Sequence, residues 1–254
     1  MYDFTAQFYF ESFDKLVIKS NERLENYRKN PTEENIHDVR TSIRRLDIAW
    51  KILPKKLHHT KADKFITLRK EFFKNNSQIR DLDVIKQKLE SNTSEDIVQI
   101  IKKINKKKQK LLESAQKKAE IASKIDTVKI DWRDITHEKL ENKFKKITLK
   151  LINKIEKTIP IVTSNDKKIK QLHELRKNCK KLRYLLELTN YERSPNFINK
   201  MKEMQDVLGS VRDCDITINF LSKQKKSTIL DSIIKSELEK RTNLYKGFVQ
   251  MQKF

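Results

Sequence analysis

IHDVRTSIRRLDIAW, residues 36–50, and LHELRKNCKKLRYLL, residues 172–186, decide the fold, because they align without a gap. At about 100° per residue, Ile36, Val39, Ile43, Leu46 and Trp50 share one helix stripe, and Leu53 extends it. His37, Arg40, Arg44 and Lys51 fall on the neighbouring stripe, with Asp47 on the same flank. The second copy repeats both. Leu172, Leu175, Cys179, Leu182 and Leu186 form its apolar side; His173, Arg176, Lys180 and Arg183 form its basic side, which Lys177 and Lys181 extend outward.

A second block follows in the same order. SQIRDLDV at 77–84 matches GSVRDCDI at 209–216. Two blocks recurring in one order at nearly one spacing point to duplication of a helical unit. Each RDxD is expected in a first helical turn, where Asp81, Asp83, Asp213 and Asp215 either complement the helix dipole or orient nearby Arg and Lys side chains. A metal site fits less well, since aspartates two residues apart do not share a helix face.

The chain has only two glycines, Gly209 and Gly247, and four prolines in 254 residues. Hairpins and phosphate-binding α/β turns need glycine, so helices joined by short polar connections remain. The expected helices cover 3–29, 32–53, 60–75, 78–90, 95–125, 133–158, 167–189, 196–207, 211–223 and 228–252. Thr32 caps the second, Pro54 ends it and Pro160 ends the sixth, with a polar loop at 161–166. The halves meet near Thr127 to Asp131, giving repeats of 1–126 and 127–254. The opening MYDFTAQFYFESFDKL has acids and aromatics where a signal peptide has a basic then an apolar stretch, so it is expected to begin the first helix.

Lys and Arg number 57 against 35 Asp and Glu, a net charge of +22. Self-repulsion on this scale calls for an anionic partner: nucleic acid, an anionic surface or a polymeric phosphate. A lysine-rich compositional bias explains part of it, and KKINKKKQK at 102–110 reads first as a solvated helix face. The basic stripes are more directed. Each sets about one cation per turn, about 5 Å apart, a rail suited to an extended polyanion. A histidine among those cations is expected to be neutral until an anion arrives. No phosphate loop, dinucleotide fingerprint, C-x-x-C, H-E-x-x-H or nucleophile elbow is present, so no catalytic residue is nominated, and no cofactor or metal is expected. Cys179 and Cys214 make no disulfide framework, and no apolar run is long enough for a membrane span, so a cytoplasmic protein is expected.

The H-x-x-R-x-x-x-[RK]-[RK]-L helix, followed about 40 residues on by RDxD and a hydrophobe, with both repeated, resembles the CHAD domain, the conserved histidine α-helical domain. The matching segments are His37–Leu46, Arg80–Val84, His173–Leu182 and Arg212–Ile216. The resemblance implies an all-α fold of two bundles of four to five helices each, related by a pseudo-twofold. It implies a basic groove between the halves that binds long-chain inorganic polyphosphate, and association with polyphosphate granules. Carried over residue by residue, the site is His37, Arg40, Arg44 and Arg45 in the first half and His173, Arg176, Lys180, Lys181 and Arg183 in the second, and Lys51, on the same α2 flank, is added to the first set. Arg69, Arg80, Lys200, Lys202 and Arg212 are expected secondary contacts. Asp47 departs from the pattern where the second copy has Arg183, and Lys51 is expected to compensate. Nucleic acid is the alternative partner, although the aromatics offer no evident base-stacking platform. Metal-dependent phosphohydrolysis is a third reading.

Overall fold

The computed structural model describes residues 4–54, 60–125, 130–133, 135–189 and 195–252. Among them are eight α-helices and no strand: α1 Ala6–Lys29, α2 Glu33–Trp50, α3 Thr60–Leu89, α4 Glu95–Ser123, α5 His137–Ser164, α6 Ile169–Leu186, α7 Pro195–Leu221 and α8 Thr228–Gln250. The motif helices α2 and α6 have the same length, 18 residues, and each is followed by two longer helices. Local chemistry sets several starts. The Thr5 and Thr32 hydroxyls accept from the backbone N–H of Phe8 and Asn35, and Ser227 does the same for Leu230.

Three expected breaks are absent. Residues 60–75 and 78–90 form one helix, α3, inside which the polar side chains at the expected break are satisfied by the preceding turn: Asn76 Nδ2 donates to Phe72 O at 3.1 Å and Ser77 Oγ to Phe73 O at 3.0 Å. Residues 196–207 and 211–223 likewise form one helix, α7. Gly209 takes no positive φ, so it does not terminate it. Pro160 lies inside α5, which runs on through the expected loop to Ser164. The proline frees the Glu156 carbonyl, but both residues are exposed, so water can satisfy that oxygen. The continuity of α3 and α7 also moves both RDxD motifs from a first turn to a helix interior.

Two compact units result. The first comprises 1–146 with 187–190, the second 147–186 with 191–254, so the division falls inside α5. The junction expected near Thr127 to Asp131 lies, apart from residues 130 and 131, outside the described residues.

In the first unit α1 packs on α2 and α4, and α3 packs on α2 and α4. The α2 stripe read from sequence is the core side: Ile36, Val39, Ile43, Leu46 and Trp50 are all buried, and the first three cluster with Leu24, Tyr27, Phe72, Ile79, Ala115 and Ala119. An aromatic cluster closes one end. Trp132 stacks on Phe10 at 4.4 Å and meets Phe13 edge-on at 5.4 Å, and Tyr9 Oη donates to Ala49 O at 2.9 Å. In the second unit α7 packs on α6 and α8. Leu172, Leu175, Cys179, Leu182 and Leu186 are buried as read. Tyr245 Oη donates to Val162 O at 2.8 Å, which ties α8 to the end of α5.

Candidate functional site

A helix that buries one stripe must present the adjacent stripe at the boundary with solvent. This places the basic residues of α2 and α6 at half-burial: Arg40, Arg44 and Arg45 on α2, and His173, Arg176, Lys180, Lys181 and Arg183 on α6. His37 is exposed.

Each rail has an aromatic ring beneath two of its cations. On α2 the Arg40 and Arg44 guanidiniums lie 5.5 and 4.7 Å from the centre of the Phe73 ring, supplied by α3. On α6 the Lys180 ammonium and the Arg183 guanidinium lie 5.6 and 5.0 Å from the Tyr184 ring. Such contacts restrict long side chains without cancelling their charge. Phe73 was not singled out from sequence. Its counterpart in the second copy is Gln205, so the repeat carried no signal for it.

Burial and nearby cations both act on the His173 imidazole. Its imidazole pKa is pushed down to about 4, first by burial, then by Arg212, Lys177 and Arg176, with Glu174 opposing. Arg212 of α7 thus acts on His173 and Arg176 from outside their own helix. Arg176 has its own pKa lowered, mainly by burial, while Asp213 works against the shift. The first aspartate of that RDxD thus faces a rail arginine. Burial holds His173 neutral in the folded chain, whereas the unfolded histidine titrates near its ordinary value of about 6.5. A folded pKa below the unfolded one contributes stability above about 6.5 and loses it as pH falls toward about 4. Melting followed by circular dichroism is expected to drop in temperature across that window, and His173→Gln to flatten the drop.

The second aspartate of each RDxD has a different role. Asp83 is buried 2.5 Å from Lys108 of α4. Asp215 is buried and accepts from Arg241 Nε of α8 at 2.6 Å. Arg241 also donates to Asp166 Oδ2 at 3.2 Å and to Asp166 O at 2.7 Å. In both units the motif clamps the third helix of the repeat to the fourth. The 102–110 run reads as a solvated face, but its Lys108 turns in to the buried Asp83; Arg241 lies in a segment with no recognisable motif.

Several expected site residues are placed otherwise. Arg69 is only 2% exposed. Its guanidinium lies over the Phe65 ring at 3.4 Å and donates to Asn21 Oδ1 at 2.5 Å, and burial lowers its pKa to about 9, so it is an interior group, not a surface contact. Lys51 does not simply add a cation. It sits 2.6 Å from Asp47, and Lys70 approaches the other oxygen at 2.9 Å. Burial alone would raise the Asp47 pKa, but Lys51 and Lys70 outweigh it and hold the carboxylate ionised. Arg45 meets Glu187 at 3.1 Å, and Arg80 lies 3.9 Å from Glu33. Lys200 and Lys202 are exposed on α7. No helix among the described residues is long and apolar enough to cross a membrane.

Fold and surface together define an all-helical protein with two cation-bearing helices of matching pattern. The pattern described as the CHAD domain matches residues 13–222, and the chain belongs to that family. The fold is similar to that in the crystal structure of the CHAD domain from the plant Ricinus communis, with a TM-score of 0.62 at 14% identity, covering 94% of this chain and 91% of that one. No curated protein matches the chain.

Proposed function

We propose that this chain is a polyphosphate-binding protein and that the basic faces of α2 and α6 are its contacts. The observation that carries the reading is the pair of half-buried basic rails, each with two cations set over an aromatic ring, with Arg212, Lys177 and Arg176 also acting on the His173 imidazole. Like charges gathered around one imidazole cost free energy in the empty protein, and an anion lying there relieves it. The family is associated with polyphosphate binding, and the same residue pattern stands on both motif helices. We take the repeats as 1–126 and 127–254, with His37, Arg40, Arg44 and Arg45 serving in one and His173, Arg176, Lys180, Lys181, Arg183 and Arg212 in the other. In this reading the protein works in the cytoplasm, at polyphosphate granules, as a binding module without catalysis.

The salt dependence of binding tests it. If about six phosphates are neutralised, the log–log slope of affinity against salt is roughly −4, on the coefficient for single-stranded polyanions. Long-chain polyphosphate is expected to outcompete single-stranded RNA and triphosphate at fixed ionic strength. Tighter binding of RNA would reject polyphosphate as the ligand, and release of orthophosphate with a divalent metal present would reject the non-catalytic assignment.

A further inference from the structure

Gly209 stands inside α7, where nothing in its backbone calls for glycine, since it takes no positive φ. In a helix interior glycine is the least favourable residue except proline, so its use there needs another reason. Close approach by a neighbour is one. Beyond its chain neighbours and the backbone of its own helix, a Cβ placed at Gly209 would have only Arg176 within 4 Å, with Nε at 3.5 Å and Nη2 at 3.8 Å. Gly247, the other glycine of the chain, has nothing within that distance. The Arg176 guanidinium of α6 therefore lies over the spot on α7 that carries no side chain.

Packing, more than pairing, sets the depth of Arg176. Its Nε is buried and has no hydrogen-bond partner among the described residues. Burial is the main cause that lowers its pKa, with Asp213 of α7 opposing and Arg212 adding to the shift. The space that α7 leaves is thus what lets this cation sit half-buried beside His173.

The first copy holds its matching arginine by other means. Arg40 corresponds to Arg176, Ser77 to Gly209 and Phe73 to Gln205. Arg40 lies 5.5 Å from the centre of the Phe73 ring, and Ser77 turns its hydroxyl back to Phe73 O at 3.0 Å. Both copies keep a small residue one turn beyond the Phe73 position. Only the second, which has no ring there, reduces it to glycine.

We propose that Gly209 is a positioning residue of the α6 face: its missing side chain seats the Arg176 guanidinium against α7 and so sets where that cation meets polyphosphate. This rests on the α6 face binding polyphosphate, but the seating itself is readable without ligand.

The test uses Gly209→Ile, Gly209→Ala, Arg176→Gln and the double variant Gly209→Ile, Arg176→Gln. Isoleucine branches at Cβ and has one strongly preferred rotamer in a helix, so it has little freedom to turn away from Arg176. It is also a better helix former than glycine, so propensity does not weaken α7. In the ligand-free chain, hydrogen exchange at Arg176 Nε is followed by NMR and assigned by the signal lost in Arg176→Gln. It is expected to be at least about tenfold faster in Gly209→Ile, where the guanidinium is pushed out into water. Gly209→Ala, whose Cβ fits at ordinary contact distance, is expected to keep it slow. Affinity for long-chain polyphosphate is expected to fall about tenfold in Gly209→Ile, the size of one misplaced charge-assisted contact, and to be restored in Gly209→Ala. In the Arg176→Gln background the isoleucine is expected to add nothing. Circular dichroism checks helicity, and Gly209→Val, branched alike but shorter, replaces the isoleucine if α7 is disturbed.

Unchanged exchange in Gly209→Ile overturns the proposal, whether or not polyphosphate binds. So does a loss of affinity from isoleucine that is as large with Arg176→Gln as without it, since the change would then act through the helix and not through Arg176. Faster exchange with full affinity in both Gly209→Ile and Arg176→Gln keeps the seating of Arg176 and overturns the α6 face as the polyphosphate contact.

Discussion

Reversing Arg40, Arg44, Arg176 and Lys180 to glutamate together is expected to lower affinity for long-chain polyphosphate by at least about a thousandfold. A charge-assisted contact contributes about 1.5–3 kcal/mol, and each reversal also places a carboxylate where phosphate would lie. Even about 1 kcal/mol per site gives a factor of that size. The protein remains strongly basic after four reversals from +22, so bulk charge does not account for such a loss. A matched control separates the two causes. Lys15, Lys19, Lys225 and Lys226 are exposed and lie outside the motif helices, and reversing them changes the net charge equally. That control is expected to weaken binding several-fold through the long-range field alone. Equal losses in the two variants would show that net charge, not the rails, holds the ligand. Arg176 is partly buried, so its reversal strains the fold more than the others. The four corresponding glutamines give a neutral version, which is expected to keep native helicity and lose most of the affinity.

The sequence made the rails legible because burial and exposure on a helix are coupled through one periodicity. Once Ile36, Val39, Ile43 and Leu46 face the core, Arg40 and Arg44 are carried to its edge. The His173 shift toward neutrality has burial as its first cause, which the wheel did not supply; the wheel supplied only the lesser one, cationic neighbours one turn away. What periodicity could not supply was partners distant in sequence. Phe73 beneath two arginines, Lys70 on Asp47 and Arg241 on Asp215 each come from another helix. Punctuation misled for a related reason. Asn76, Ser77, Gly209 and Pro160 weaken helices locally, yet packing on both sides carries α3, α5 and α7 through them. The burial of Arg69 did leave a trace. In the alignment that pairs the two RDxD blocks it stands opposite Met201, which is also buried, so the second copy marks the position as interior.

Arg241→Met is expected to destabilise the second unit by about 3–5 kcal/mol, the usual effect of removing one partner from a buried ion pair. Asp215 is 8% exposed, and Arg241 supplies its cation while also holding Asp166 through both a carboxylate and a carbonyl oxygen. Without the guanidinium, three acceptors around the α7–α8 contact lose their donor at once. For a chain of this size the loss corresponds to a fall in melting temperature on the order of 10 °C. Methionine keeps most of the side-chain length, so the change reports charge and hydrogen bonding more than an emptied volume. Adding Asp215→Asn to Arg241→Met removes the stranded carboxylate and is expected to recover part of the loss, making the double variant less damaging than the sum of the singles. Thermal melts of the four proteins complete the cycle. Additive effects would mean that the second aspartate of RDxD and the last helix are not coupled. The clamp would then be incidental, and the repeated pairing of Asp83 with Lys108 in the first unit would need another explanation.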